Sequence, residues 1–473
     1  MDGIENRIMQ VRSRGTRTLG CETENKMADH SVLNGNNKVS DVNCHGSLPS
    51  LTSEKDKRIM SNKVGDITKS PSLSSHDSCT KLTIDKLDDS NTCCTSKSMG
   101  WDVLKLVISF ACGVVFGMMF TKGRVFEPKA IRNQMVFENF IMLKMFLSAV
   151  FTGQLIFCVL SILPQTKQLF QEAVLEYIAC FNSKGIITSG IGAIVLGAGM
   201  TLAGACPGMV LAQVGSWVPN SIFTFLGCLI GALTYGLIAP LIERFTKPTK
   251  VFKSHTVNQT LKWPFIAVAL PMSIMLFVGI FLLEYFWDYT KDLENIGREL
   301  QPYDNIITSV AWRPSVAGGI IGILQLPLIF TVHDTMGGST SYVTMVSQWV
   351  ITQKLQEMFP YLAKKRCGIG NWWQVVYVWG AILGACLASI ASDTMATSNG
   401  VTLPTALFGG VLMLWGARFA AGCTSGHGLS GMGLLAWLSF IAVPGMFAGG
   451  IITAFSMQAT GALDDYVSST LDT

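Results

Sequence analysis

The chain has 473 residues, of which 49% are hydrophobic and only 14% are charged, and its mean hydropathy is +0.41. Soluble domains carry about a quarter charged residues, so this composition excludes an ordinary soluble protein and predicts a polytopic membrane protein. The formal net charge of +4 is too small and too dispersed to indicate a nucleic-acid partner.

A polar stretch opens the chain. Residues 1–98 are rich in Ser, Asn, Asp, Lys and Thr. Such a segment cannot bury enough apolar surface to offset the entropy lost on ordering, so we predict a disordered tail. The first residues lack the apolar core of a signal peptide. We therefore expect the first apolar span to be an uncleaved membrane anchor.

Nine apolar segments follow, each close to the roughly 20 residues that a helix needs to cross a bilayer. They cover 103–121, 140–163, 186–206, 219–241, 261–284, 306–331, 372–392, 403–421 and 432–457. The predicted fold class is therefore an all-α, multi-pass membrane protein. Two segments, 186–206 and 403–421, are dense in Gly and Ala and run into a cysteine followed by more glycine. This pattern predicts helices that break or re-enter, which requires that the open backbone line a cavity.

Charge in the connections predicts a topology. Lys and Arg concentrate in the connections 122–144, 244–262 and 354–366, whereas 284–304 is acidic. The positive-inside rule then places the three basic connections in the cytoplasm and the acidic one outside. The predicted domains are the tail over 1–98, a first membrane repeat over 99–250, a connecting helix and acidic loop over 251–305, and a second membrane repeat over 306–473.

The two unusual segments repeat one motif. Gly199 to Cys206 and Gly416 to Cys423 both read G-x-x-x-A-x-x-C, 217 positions apart. Upstream, each half has another Gly-rich span that runs into a loop of small residues. Two related halves around a central site are typical of transporters. The sequence therefore predicts two pseudo-symmetric repeats with short re-entrant helices.

Helix-breaking and capping residues follow both cysteines. They are Pro207 and Gly208 after Cys206, and Thr424, Ser425 and Gly426 after Cys423. Each cysteine is therefore expected where one half-helix ends and another begins, and the free N–H groups there favour an anion. A thiol buried among apolar groups keeps its proton and acts as a weak donor with a polarisable sulphur. That chemistry suits a soft anion that must bind loosely and leave again.

Four further polar residues are candidates for this path. Arg418 either attracts an anion to the pore mouth or pairs with a carboxylate. His427 either donates to the same anion or is satisfied by neighbouring backbone. His333 and Asp334 form a polar pair at a loop that either gates the path or only caps a helix. Cys423 and His427 share one short segment without an obvious third and fourth ligand, so no metal site is predicted.

Two stretches, "AGACPG" and "GARFAAGCTSGHGLSG", resemble the YeeE/YedE family of sulphur-transport membrane proteins. The resemblance covers residues 101 to about 460 and leaves out the polar tail. It implies uptake of thiosulfate or a related inorganic sulphur anion through an hourglass-like fold, without a cofactor or an enzymatic reaction. By analogy it also implies a cytosolic sulfurtransferase that takes the sulphur onward.

In that family, cysteines line a narrow path and pass the anion along by thiol-to-sulphur hydrogen bonds. Cys206 and Cys423 match two of these positions. A third family cysteine lies in the loop after the first span, where this chain has Glu127. A carboxylate at a pore mouth repels an anion unless it is paired, with Arg124 or Lys129 as the nearest cations in sequence. The substrate is therefore left open among sulphur and selenium species.

Other functional classes are also open. A transporter of another anion or of a metal is one, and a membrane thiol oxidoreductase with Cys206 and Cys423 as its redox pair is another. The thirteen cysteines contain no C-x-x-C motif, which disfavours the second. A structural or partner-binding membrane protein is the third. Cys228 and Cys386 are expected to be packing residues, and the plasma membrane is the favoured location.

Overall fold

The computed structural model describes residues 99–179, 185–246, 255–298 and 305–468, and the tail predicted over 1–98 lies outside them. The described residues are almost entirely helical. In chain order the helices are α1 Met99–Lys122, α2 Pro128–Met135, α3 Ile141–Ile162, α4 Lys167–Ala179, α5 Ile186–Ala203, α6 Met209–Gly215, α7 Ser221–Thr246, α8 Val257–Leu261, α9 Phe265–Phe286, α10 Tyr289–Asn295, α11 Pro314–Ile323, α12 Gln325–Val332, α13 Ser339–Val346, α14 Gln353–Met358, α15 Pro360–Arg366, α16 Ile369–Ala391, α17 Leu403–Phe419, a π-helix Thr424–Gly431 and α18 Trp437–Ala459. Two short antiparallel strands, β1 Gly400–Val401 and β2 Tyr466–Val467, pair with each other.

The predicted fold class is confirmed. Within the described residues, eight helices are long and apolar enough to cross a membrane. A ninth span results when α17 and the π-helix, which meet at a 46° bend, are counted as one. These spans match the nine predicted apolar segments, and the segment predicted over 306–331 consists of the consecutive helices α11 and α12. The short helices α2 and α13 were not predicted, because each has only eight residues and lies between longer spans.

Helices α5 and α17 lie against each other with their backbones in contact. A Cβ atom added at Gly199 would overlap the backbone of Met413, and one added at Gly416 would overlap the backbone of Leu196. Gly199 and Gly416 are 217 positions apart, and so are Leu196 and Met413. Exchanging each residue for its equivalent 217 positions away therefore turns one contact into the other. A two-fold relation between the halves produces this pattern.

The rest of the packing also repeats when each half is exchanged for the other. The contacts Gly192 with Ala420 and Gly409 with Ala203 form a second pair with this spacing. Helix α1 packs on α16 as α11 packs on α3, and α5 packs on α18 as α17 packs on α7. Small residues at these crossings let the helix backbones approach closely. This close packing holds the helices together, because in lipid there is no hydrophobic driving force between them. Each predicted half therefore packs mainly against the other half.

The connections lie at two opposite ends of the bundle. The α2 face carries residues 123–140, 287–298 and 392–402, held together by contacts such as Lys144 Nζ to Asp292 Oδ2 at 2.7 Å and Arg298 to the Thr397 carbonyl at 2.8 Å. The α13 face carries residues 163–179, 255–264 and 347–368. There the rings of Phe170 and Phe265 meet edge-on with their centroids 5.1 Å apart, and Gln348 donates to the Arg366 carbonyl at 3.1 Å.

One part of the predicted topology is wrong. The connections 122–144 and 284–304 were expected on opposite sides of the membrane, but Lys144 and Asp292 form a fully buried ion pair between them. Four of the five basic residues of 122–144 that suggested a cytoplasmic location, Lys122, Arg124, Arg132 and Lys144, are buried in the protein. Lys122 donates to the carbonyls of Ile307 and Ser309 at 2.6 and 2.7 Å. The positive-inside rule applies to charges exposed on loops, so these charges give no topological signal.

The two halves enter the bundle from opposite ends. Helix α1 ends at the α2 face, whereas its counterpart α11 begins there, because α9 adds one crossing between the halves. This arrangement is an inverted repeat, a common transporter architecture. The predicted domain boundaries at 250 and 305 remain a prediction.

The glycine contacts give a stability prediction. A Cβ at Gly197 of α5 would overlap the carbonyl of Met446, whereas a Cβ at Gly279 of α9 would meet nothing within 4 Å. We expect Gly197→Ala to lower the free energy of unfolding by about 1–3 kcal/mol through overpacking and Gly279→Ala to leave it unchanged. Thermal unfolding of both variants in detergent measures the difference. Equal melting temperatures would contradict the close crossing.

Candidate functional site

Both Gly/Ala-rich helices end in the same way. The residue after the end of α5, Gly204, has φ 57°, and Ala421, which is 217 positions further on and follows the end of α17, has φ 69°. Glycine adopts this left-handed conformation without a steric penalty. An alanine in it costs about 1–2 kcal/mol. The chain therefore turns sharply at both places, and Cys206 and Cys423 follow two residues later, as the repeat predicts.

Cys206 lies before the short helix α6 with its sulphur among hydrogen-bond donors. Its thiol is 6% exposed and accepts from the backbone N–H groups of Gly208 and Met209. It also forms a hydrogen bond with the Thr424 hydroxyl of the other half. Helix α6 begins at Met209, so Pro207 lies in the turn before the helix and not in its first turn.

Cys423 is the residue that precedes the π-helix and is 2% exposed. Its Sγ lies 3.1 Å from Ser425 Oγ and accepts from the Gly426 N–H. The N-terminal end of α13 supplies two more partners, the Gly338 N–H and the Ser339 hydroxyl. The thiol is therefore surrounded by donors from two separate segments.

The two breaks meet in one site. Thr424 of the second break contacts Cys206 of the first, and the two thiols are close enough to interact electrostatically. Tyr342 of α13 donates from its hydroxyl to the Pro207 carbonyl at 2.8 Å. Both thiols are free. The structure thus brings together the two cysteines that the sequence places 217 residues apart.

Arg418 lies at the end of α17 beside this site. Its Nε donates to the Tyr361 hydroxyl at 3.0 Å, and its Nη1 donates to Ser339 Oγ at 3.0 Å. Ser339 is also a hydrogen-bond partner of Cys423, so the guanidinium and the thiol contact the same serine side chain. Within the described residues Arg418 forms no ion pair, so of the two predicted roles, pairing with a carboxylate has no support.

His427 is fully buried, and both ring nitrogens have partners. Nε2 lies 3.0 Å from the Ala420 carbonyl, and Nδ1 lies 3.2 Å from Ser439 Oγ. Ser439 also contacts the hydroxyl of Tyr177 at 3.0 Å. The ring connects the π-helix to the end of α17 and to α18. This geometry favours the second of the two predicted roles, a histidine satisfied by its neighbours.

His333 and Asp334 lie at the α13 face. His333 ends α12 with φ 60°, and its Nδ1 lies 3.2 Å from Glu172 Oε2, where both side chains are nearly half exposed. Asp334 accepts from the Thr335 N–H at 2.7 Å. Burial raises the pKa of this carboxyl to about 6, although the Thr335 hydrogen bond opposes the shift. These contacts are those of a helix end, so gating by this pair remains a prediction.

Glu127 is paired with two arginines. Its Oε1 lies 3.2 Å from Arg124 Nη2, the predicted partner, and 3.1 Å from Arg298 Nε. Arg298 comes from the connection after α10, so no local sequence pattern indicates it. Two guanidinium groups against one carboxylate leave a net positive cluster at the α2 face.

Three residues of the site were not predicted from the sequence as site residues. Ser339 and Tyr342 reach the cysteines from α13, and Cys228 of α7 interacts electrostatically with both Cys206 and Tyr342. Cys228 was expected to be a packing residue, and it is fully buried, but its thiol is part of this cluster. No short motif marks these side chains, because the contacts join distant segments.

A small cavity lies next to the site. Thr424 and Gly428 of the π-helix line one side of it, and the remaining lining is apolar and rich in sulphur. The lining includes the thioethers of Met135, Met142, Met200 and Met446. The cavity therefore lies against Thr424, the residue of the second break that contacts Cys206.

Paired broken helices from two inverted halves, meeting inside a bundle of membrane-spanning helices, define a polytopic membrane transporter. A family model described as sulphur transport matches residues 122–452. The chain belongs to the sulphur-transport family, which confirms the resemblance seen in the sequence. It is a transporter and not an enzyme.

Curated relatives agree with this assignment. The chain is 24% identical over 363 residues to the thiosulfate transporter TsuA of Escherichia coli (strain K12), covering 72% of this chain and 90% of that protein. It is also 24% identical over 346 residues to the thiosulfate transporter TsuA of Spirochaeta thermophila, covering 70% of this chain and 92% of that protein. A probable transporter of Xylella fastidiosa is 33% identical over 84 residues, 18% of this chain and 62% of that protein.

The two histidines of the site region give a second stability prediction. We expect His427→Ala to lower the free energy of unfolding by about 1–3 kcal/mol, because the buried contacts of the ring with the Ala420 carbonyl and the Ser439 hydroxyl are both lost. His333→Ala, at a surface pair, is expected to change it by less than about 0.5 kcal/mol. Thermal unfolding in detergent measures both. A fully stable His427→Ala protein with lost uptake would instead assign the ring to the substrate.

Proposed function

We propose that this chain transports thiosulfate, or a closely related sulphur anion, and that Cys206 and Cys423 pass the anion through the protein. The observation that carries the proposal is the meeting of both thiols in one buried site. Two relatives of this chain are named as thiosulfate transporters. The thiol path is supported by the geometry of this chain's own residues.

The hydrogen bonds at the two thiols favour donation to an anion. Backbone N–H groups donate to both sulphur atoms, from Gly208 and Met209 at Cys206 and from Gly426 and Gly338 at Cys423. A sulphur that accepts these hydrogen bonds can still donate its own S–H proton to an anion. An S–H group is a weak donor with a soft sulphur, and the terminal sulphur of thiosulfate is a soft acceptor. Binding is therefore loose enough for the anion to move on.

Arg418 supplies the positive charge of the site. Its guanidinium is held by Tyr361 and Ser339 and keeps its full charge, since no carboxylate among the described residues pairs with it. Arg418 and Cys423 share Ser339 as a partner. The positive charge of Arg418 therefore attracts an anion that has reached the second break. In this proposal Arg418 draws the anion from the thiols toward the α13 face.

The distribution of charged residues between the two faces indicates how the protein is oriented in the membrane. The basic connection 354–366 and the basic residues Arg244 and Lys262 lie at the α13 face, whereas residues 284–298 bring Asp288, Asp292 and Glu294 to the α2 face. By the positive-inside rule the α13 face is cytoplasmic. Transport from the α2 face to the α13 face is then uptake, with the plasma membrane as the proposed location. A cytosolic sulfurtransferase that accepts the sulphur remains a prediction from the resemblance.

Uptake of radiolabelled thiosulfate into proteoliposomes tests the proposal. We expect Cys206→Ala and Cys423→Ala each to lower uptake at least about tenfold, the effect of losing one hydrogen bond to a charged group. Cys423→Ser is expected to lower it too, because a hydroxyl lacks the soft sulphur. Cys158→Ala and Cys386→Ala are the matched controls, since neither thiol belongs to the cluster, and both are expected to retain uptake.

Two results would contradict the proposal. Equal uptake by all five variants would exclude a thiol path, and absence of uptake by the wild-type protein would exclude thiosulfate. In the second case, sulfide, selenium species and other anions are the next substrates to measure. A disulfide between Cys206 and Cys423 under native conditions would favour a thiol oxidoreductase.

A further inference from the structure

Tyr377 of α16 has a buried hydroxyl group without a protein partner. Its side chain is 3% exposed, and its Oη has no hydrogen bond among the described residues. Leaving a buried hydroxyl unpaired costs free energy, so such groups are rare in native structures and require an explanation. A ligand that accepts a hydrogen bond is one explanation, and the position of the hydroxyl identifies which ligand.

The Tyr377 hydroxyl lies beside the two cysteine breaks. It interacts electrostatically with the thiols of Cys423 and Cys112. Its ring lies 5.5 Å from the ring of Phe116. A Cβ at Gly208, two residues after Cys206, would lie 3.2 Å from that same Phe116 ring. Tyr377 therefore lies next to the first break through Phe116, and the Cys423 thiol of the second break lies within electrostatic range of its hydroxyl.

A second unpaired donor lies one helical turn away. Trp373 precedes Tyr377 by four residues, which places both side chains on one face of α16. Trp373 is 1% exposed, and its indole Nε1 has no hydrogen-bond partner among the described residues. The two rings lie 6.3 Å apart. An indole N–H can only donate, so this face of α16 presents donors for an acceptor.

The neighbouring tryptophan shows that unpaired donors are not general on this helix. Trp372 is 40% exposed, and its Nε1 donates to the Arg366 carbonyl at 3.2 Å. The exposed indole therefore has a partner, whereas the fully buried one next to it has none. Donors without partners occur on the face of α16 that meets the cysteines.

We propose that the Tyr377 hydroxyl and the Trp373 indole N–H bind the oxygen atoms of the transported anion while its terminal sulphur contacts Cys423. The inference rests on the proposed function and names the residues that recognise the oxyanion end of the substrate. Thiosulfate has both a soft sulphur and three oxygens, and the site offers thiols for one and stronger O–H and N–H donors for the other. Tyr377 and Trp373 then set the preference for sulphur oxyanions over sulfide.

The test compares thiosulfate binding and stability in conservative variants. Tyr377→Phe removes only the hydroxyl, and Tyr285→Phe, at a residue 73% exposed, is its control. Trp373→Phe removes the indole N–H, and Trp372→Phe is its control. We expect isothermal titration with thiosulfate to give a Kd at least about tenfold weaker for Tyr377→Phe and Trp373→Phe and an unchanged Kd for both controls. KM for uptake is expected to rise in parallel.

Stability without substrate separates binding from structure. Because the Tyr377 hydroxyl has no protein partner, Tyr377→Phe is expected to keep or raise the melting temperature of the substrate-free protein and to lose the upward shift that thiosulfate produces. A lower melting temperature without substrate would overturn the inference by showing a structural hydrogen bond. An unchanged Kd in Tyr377→Phe, with Cys423→Ala inactive, would overturn it and leave the proposed function intact. Absence of thiosulfate binding and uptake in the wild-type protein would overturn both.

Discussion

The backbone contact between α5 and α17 is the constraint on which the rest of the structure depends. At Gly192, Gly199, Gly409 and Gly416 a single added carbon would overlap the other helix. Two membrane helices gain little from apolar burial, because lipid is as apolar as their side chains, so close packing of small residues must hold them together. The glycines are therefore required by the packing, and the breaks at Gly204 and Ala421 then direct Cys206 and Cys423 into a common site.

The halves are related by symmetry, but the site is not symmetric. The repeat aligns Cys206 with Cys423, yet the next residue is Pro207 in the first half and Thr424 in the second. The same difference occurs at the short helices α2 and α13, since α2 begins with Pro128 and α13 begins with Ser339. Both halves thus contribute backbone N–H groups, and the second half also contributes the hydroxyl groups and Arg418. In the proposed function, a symmetric scaffold with these polar groups on one side favours one orientation of the anion.

Much of the fold could be predicted from the sequence, because membrane spans and the cysteine repeat are local patterns. Apolar segments of about 20 residues identify the helices, and the spacing of 217 residues identifies the equivalent breaks. The predicted placement of 122–144 and 284–304 on opposite sides of the membrane was wrong because composition does not show burial: Lys144 and Lys122 count as basic residues whether they face water or a buried partner. Of the two cations named as nearest to Glu127 in sequence, Arg124 pairs with it from three residues away, whereas Arg298 could not be found by proximity in sequence.

The remaining parts of the site depend on tertiary contacts. Tyr342 reaches Pro207 across 135 residues, and Tyr377 lies near the first break through Phe116 on a helix that carries no motif. An aromatic residue in an apolar span is most often a packing residue, and the missing hydrogen-bond partner of its polar atom is what distinguishes Tyr377 and Trp373. Burial and hydrogen bonding are properties of the folded chain, so sequence patterns of period 3.6 cannot report them.

The central claim is that the anion binds where the two breaks meet. A structure determined with selenosulfate, the analogue of thiosulfate with selenium as its terminal atom, tests it most directly through the anomalous signal of selenium. The account predicts a selenium peak in contact with the sulphur atoms of Cys206 and Cys423, with the oxygens toward α16. A peak confined to another part of the bundle, with none between the two cysteines, would contradict it.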